Sequence, residues 1–328
     1  MFKLTVITFI CHIPLVRSMN NIAKYISFRD KYLFDLNGFL IVRNVFSLEE
    51  VIACNKAIDK HVDYVQERTN VELRNTKAGT PLVGNGISGR KDLGAILEWG
   101  PESQLFRAVL NHPILVPYYH EFLGTGYRMD HQPFCILQDA GSEGFSLHGG
   151  TIDFQTGEYN PHLAYSCVQG RINNQLLAVS VALSDHNKGD GGFVVVRGSH
   201  KSNFAVPDDI INGIDDDYID QPITKAGDVI LFSEGTVHGA RPWTASHQRR
   251  IALFRFSPAT ACYGRSYYPT WPEGMLRDLS EEQKAVLEPP YSVRLDRPTL
   301  SADGSIEICS RSPAKKEFDR RVFGTPYF

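Results

Sequence analysis

The chain has 328 residues, 42% hydrophobic and 22% charged, which is the make-up of a folded globular protein and excludes a disordered or collagen-like one. A formal charge of -3 and scattered arginines exclude a strongly basic nucleic-acid binder and leave a small molecule as the expected partner. Six cysteines without a Cys-x-x-Cys pair argue against a zinc knuckle or a dense disulfide framework, and make a reducing compartment the default.

At the N-terminus, the apolar run 4–16 follows Lys3 and resembles a signal-peptide core, although His12 and Pro14 interrupt it. It is too short to span a bilayer, and Met19 offers an alternative start, so residues 1–33 read as an extension or targeting segment with no stable membrane anchor. Cytoplasmic or organellar placement follows, and oligomeric state is not legible. The folded part is expected from residue 34, where Asn37-Gly38 turns the chain into an apolar strand. Ser47 and Glu50 form a capping box for a helix running to about Val65. Residues 70–89, with Gly79, Gly84, Gly86 and Gly89, read as a loop lying over a pocket. A second helix is expected over 102–123, with Pro113 splitting it and Gly124 ending it. Short β-rich runs follow at 134–137, 175–183, 192–197, 228–232 and 250–256. They predict a mainly β fold with flanking helices, a double-sheet jelly roll occupying residues 34–258. The Pro- and Tyr-rich tail 259–328 is expected to wrap the core, with one short helix after the capping box at Ser280 and Gln283.

Chemistry concentrates on three residues. His148 opens a His-Gly-Gly bend, His238 follows an apolar strand that begins at Gly227-Asp228, and Arg249 stands eleven residues further on. Two imidazoles at the mouth of a small barrel can hold Fe(II), and a guanidinium can grip the far carboxylate of 2-oxoglutarate in a fork. Arg249 and Arg250 are adjacent on a strand, so only one enters the barrel and the other reads as a surface ion pair. The usual carboxylate two residues after the first His is missing, because Gly150 stands there. His131, His162, His186 and His200 read as polar loop, strand or turn residues, and Asp190 as a turn former.

Residues 189–201, which include Gly198-Ser199-His200, and residues 227–250 resemble the phytanoyl-CoA dioxygenase-like Fe(II)/2-oxoglutarate oxygenases. The resemblance spans roughly residues 34–258. It implies a double-stranded β-helix (cupin-like), Fe(II) held by His148 and His238, 2-oxoglutarate held by Arg249 in preference to Arg250, and O2 as co-substrate. It also implies oxidation of an unactivated C–H bond by hydroxylation or desaturation. Three accounts of Gly150 stay open. Asp153 swings back to the metal through a glycine bulge; or the position is filled by halide, as in the related non-haem iron halogenases, or by water; or the barrel binds without turnover. Loop 70–89, residues 145–160 and the aromatics Tyr267, Tyr268 and Trp271 are the expected gate, suited to a small hydrophobic or secondary metabolite.

Overall fold

The computed structural model describes residues 25–264, 271–291, 297–308 and 311–324. The apolar run 4–16, Met19, Tyr267 and Tyr268 lie outside the described residues.

Order begins before residue 34. Helix α1 (Phe28–Asn37) starts where the Ser27 hydroxyl accepts the Asp30 N–H, and Gly38, at φ 81°, ends it by donating to the Phe34 carbonyl. The Asn37-Gly38 turn is therefore a left-handed helix cap, a conformation that glycine adopts without Cβ strain. Strand β1 (Phe39–Val42) follows directly. Helix α2 (Leu48–Lys60) has both halves of the expected capping box, Glu50 N–H to Ser47 Oγ at 3.3 Å and Ser47 N–H to Glu50 Oε2 at 2.7 Å. It buries Val51, Cys54, Ala57 and Ile58 at helical spacing and stops at Lys60, earlier than expected. The expected helix over 102–123 is broken into Gln104–Arg107 and Val116–Leu123, with 3-10 turns at Gly100–Ser103 and Ala108–Leu110. The break falls around Pro113, which lacks the N–H a continuous helix needs.

The strands are β2 (Gln66–Glu67), β3 (Lys91–Leu93), β4 (Arg128–Gln138), β5 (Phe145–His148), β6 (Tyr165–Val168), β7 (Arg171–Asn174), β8 (Leu177–Ala182), β9 (Gly192–Val196), β10 (Ile219–Asp220), β11 (Val229–Ser233), β12 (His238–Arg241), β13 (Arg249–Ser257), β14 (Pro298–Leu300) and β15 (Ile306–Ile308). A major sheet runs β1-β11-β8-β13-β4-β3-β2 and a minor sheet runs β10-β9-β12-β5, with pairing antiparallel throughout. These two sheets are the predicted jelly roll. The pairs β6-β7 and β14-β15 stand apart from it.

Alternation along the major sheet sorts its side chains into two cores. Leu40, Val42, Val179, Val181, Val229, Leu231, Ala252 and Phe254 pack with the helices. Phe39, Ile136, Ala178, Ile230, Phe232, Ile251 and Leu253 face the other way, into the barrel, where Val195 of the minor sheet meets them. Arg249 shares the inward parity of Ile251 and Leu253. Arg250 points out to α2, where it pairs with Asp59 at 2.7 Å, as the alternation predicts.

The tail is more ordered than expected. It carries helices Glu273–Leu276, Glu281–Val286 and Pro313–Phe323, the second with the Ser280–Gln283 capping box formed. Trp271, Met275, Val286 and Leu287 are buried in the main core, so Trp271 packs the interior and does not line a gate. Among the described residues no helix is long and apolar enough to cross a membrane.

Candidate metal centre

His148 ends β5 and His238 begins β12, and the two are directly paired across the minor sheet with ring centroids 4.3 Å apart. The Nδ1 of His148 lies 3.1 Å from the Ser146 carbonyl and that of His238 lies 2.7 Å from the Thr236 carbonyl. A carbonyl only accepts, so each Nδ1 carries the proton and each Nε2 keeps its lone pair for a metal. Burial, reinforced by the charge of a protonated His238, pushes His148 down to about 3, and burial lowers His238 as well. Both rings are thus neutral ligands at ordinary pH.

The carboxylate beside them is Glu234. It lies one residue past β11 and shares the inward parity of Ile230 and Phe232. Its Oε2 is 3.6 Å from His238 Nε2, and candidate ligand atoms of His148, Glu234 and His238 all lie within 4.8 Å of one another. Burial alone would raise this acid, but Arg255, His238 and His148 outweigh it and hold Glu234 at about 2. Two neutral imidazoles and an ionised carboxylate are the donor set that suits non-haem Fe(II).

Asp153 is not brought to the histidines, which corrects its assignment as the replacement ligand. Its Oδ1 accepts the N–H groups of Gln155 at 2.9 Å and Thr156 at 2.8 Å, so the carboxylate closes its own turn. The glycines ahead of it serve another purpose. Gly149 has φ 87°, and a Cβ there would stand 2.6 Å from the Glu234 carbonyl oxygen and 2.7 Å from that of Thr236. Only glycine lets the 234–238 connection come this close to β5, and that approach brings Glu234 to the histidines. At Gly150, φ 89°, a Cβ would meet Val237 Cγ2 at 3.3 Å. Gly150 lines a cleft of about 470 Å³ together with Val196 and Val237, and none of His148, Glu234 and His238 lines it.

Arg249 is buried, and its Nη1 donates to Gln138 Oε1 at 2.6 Å while its Nε has no partner. No carboxylate among the described residues pairs with it. Gly192 makes room for it, since a Cβ there would stand 2.7 Å from Arg249 Nε. Burial, reinforced by the charge of Arg90, pulls the guanidinium down to about 9. A buried cation without a counter-ion is half of a carboxylate site.

Glu234 and Arg255 are the site residues that the sequence reading missed. Their signal was parity: Glu234 continues the inward set of β11 and Arg255 that of β13. The other histidines have structural partners. Nε2 of His200 bonds the Asp35 carbonyl at 2.9 Å, His186 Nδ1 bonds Thr224 Oγ1 at 2.8 Å, and His131 pairs with Asp130 at 2.7 Å. His162 sits in a 3-10 turn, and Asp190 accepts the Asn187 N–H at 2.7 Å, shaping its turn as expected.

His148, His186, His200 and His238 all have lowered pKa values, with burial as the largest cause. Below the ordinary value of 6.5 the unfolded chain therefore takes up protons that the fold refuses. Stability of the metal-free protein is full above pH 6.5 and declines towards the folded values, about 4 for His200 and about 3 for His148. Urea midpoints at pH 7.5 and pH 5 check this, and equal midpoints would refute it.

A jelly roll with two facing imidazoles, an adjacent carboxylate and a buried unpaired arginine has the make-up of a mononuclear iron enzyme that uses a dicarboxylate co-substrate. Residues 34–251 match the family model for phytanoyl-CoA dioxygenase (PhyH), and the chain belongs to that family of Fe(II)/2-oxoglutarate-dependent enzymes. Among solved structures it is similar to HygX from Streptomyces hygroscopicus with nickel and 2-oxoglutarate bound, at TM-score 0.58 and 19% identity, covering 73% of this chain and 90% of that one. The iron-bound form of HygX gives TM-score 0.57 and 19% identity, covering 74% and 90%. No curated protein sequence matches the chain.

Proposed function

We propose that the protein is an Fe(II)/2-oxoglutarate-dependent dioxygenase that hydroxylates or desaturates an unactivated C–H bond of a small hydrophobic or secondary metabolite. His148, Glu234 and His238 would hold the iron, and Arg249 the far carboxylate of 2-oxoglutarate. The observation that carries this reading is the Glu234 carboxylate among the ligand atoms of the two histidines. When bound, the iron supplies activation of O2 coupled to oxidative decarboxylation of the co-substrate.

The chain's own residues bind, orient and exclude water. The Ser146 and Thr236 carbonyls fix the imidazole tautomers. Gln138 aims Arg249 by accepting from its Nη1, and its own amide is held by the Glu143 carbonyl at 2.7 Å. Phe145, 4.7 Å from the His148 ring, and Phe134 are partly exposed and share the Arg90 guanidinium, which gives the mouth apolar faces for an organic substrate. A halogenase leaves the carboxylate position to a halide; Glu234 beside the histidines favours the dioxygenase. A binding module without turnover has no need for 2-oxoglutarate, so its ligand affinity would be unchanged in Arg249→Ala.

The test is an anaerobic titration of the purified chain with Fe(II) and then 2-oxoglutarate, followed through the visible band the two give together. The band should appear, vanish in His238→Ala, and in Arg249→Met require about a hundredfold more 2-oxoglutarate, as loss of a buried charge-assisted fork predicts. No band in the unmodified protein would sink the enzyme reading.

A further inference from the structure

Glu234 also belongs to a buried ion pair that takes no part in holding the co-substrate. Arg255 Nε donates to Glu234 Oε1 at 2.5 Å, with side chains only 19% and 8% exposed, while the other oxygen, Oε2, is the one that faces His238. The two carboxylate oxygens are therefore divided between a guanidinium and the imidazoles. Arg255 reaches Glu234 because it keeps the inward parity of Arg249, Ile251 and Leu253, opposite Ala178 of β8. Partner strand β4 absorbs irregularities at this point, in a stretch that includes Pro133, so the inward face of β13 is preserved up to the mouth.

Resting on the iron reading above, we propose that Arg255 is a positioning residue that reserves Glu234 Oε1, so that the carboxylate gives the metal one oxygen, Oε2, and cannot chelate it. A free carboxylate binds a divalent ion through one oxygen or both. A second oxygen would take a coordination position that the facial arrangement keeps open for co-substrate and O2. Among the described residues no other side chain bonds Glu234 Oε1, so without the guanidinium that oxygen has no partner to hold it off the metal.

The experiment uses the full chain loaded with Co(II), whose visible absorption reports coordination number, titrated anaerobically with 2-oxoglutarate. Arg255→Met should alter the Co(II) spectrum before 2-oxoglutarate is added and weaken 2-oxoglutarate binding about tenfold, in the range for an outer partner of a ligand. Arg255→Lys, which keeps the charge, should fall between. An Arg255→Met protein with an unaltered spectrum and affinity, even one that melts lower, would overturn the proposal and reduce the pair to a structural contact. Should that variant not fold, a crystal structure of the Co(II)-loaded unmodified protein decides: Oε2 alone on the ion supports the proposal, and both oxygens on it refute it. The parent reading fails separately, if His238→Ala binds Co(II) as well as the unmodified chain does.

Discussion

Replacing Glu234 with alanine should weaken Fe(II) binding by at least about a hundredfold, the upper range for losing even an outer partner of a ligand, and should abolish 2-oxoglutarate turnover. The variant removes the negative charge that neutralises a dication and leaves Arg255 as an uncompensated cation beside His148 and His238. Glu234→Gln, which keeps the shape and loses the charge, should behave nearly as badly. Asp153→Ala is the matched control. Its carboxylate closes the 153–156 turn, so Fe(II) affinity should be unchanged and the loss should be confined to that turn. Fluorescence-quench or calorimetric titration with Fe(II) under argon measures all three. Retained affinity in Glu234→Ala with loss in Asp153→Ala would restore Asp153 as the ligand.

The glycine pair gives the other large effect. Gly149→Ala should cost about 3 kcal/mol or more, because a Cβ at φ 87° would stand 2.6 and 2.7 Å from two backbone carbonyl oxygens that have nowhere to retreat. The variant should also lose the metal, since separating β5 from the 234–238 connection withdraws Glu234. Gly150→Asp looks like a repair of the missing third ligand. It should restore nothing: the new residue is strained by about 1–3 kcal/mol at φ 89°, and its Cβ would press on Val237, in a cleft that none of His148, Glu234 and His238 lines. Urea denaturation and Fe(II) titration of the two variants test both statements, and a Gly150→Asp protein that binds Fe(II) more tightly would count against Glu234.

Much of the frame was legible because it is periodic. Strands such as β8, β11 and β13 stood out as short β-rich apolar runs; alternation required Arg249 and Arg250 to face opposite ways, and the family resemblance picked Arg249 as the inward one. The capping boxes at Ser47 and Ser280 marked their helices because two side-chain hydrogen bonds specify one local geometry. The third member of the candidate metal cluster was harder to see. Glu234 keeps the inward parity of Ile230 and Phe232, but it lies one residue past the apolar run of β11 and comes beside the imidazoles where Gly149 admits a close approach from another strand. A positive-φ bend is invisible to periodicity; the His-Gly-Gly run could be read as a missing carboxylate but not as a doorway for one. The helices of the tail were missed because Glu273–Leu276 is too short, and Pro313–Phe323 too polar, to show an apolar stripe.

His148 and His238 belong to the minor sheet, whereas Glu234 continues β11 of the major one. An ion held by all three would cross-link the halves of the sandwich, like a rivet through two plates. Each tenfold excess of metal over its dissociation constant would then add about 1.4 kcal/mol to the resistance of both sheets to unfolding. Amide exchange in β5 and in β11 would slow together on loading, so the catalytic ion would also decide how firmly the barrel is shut.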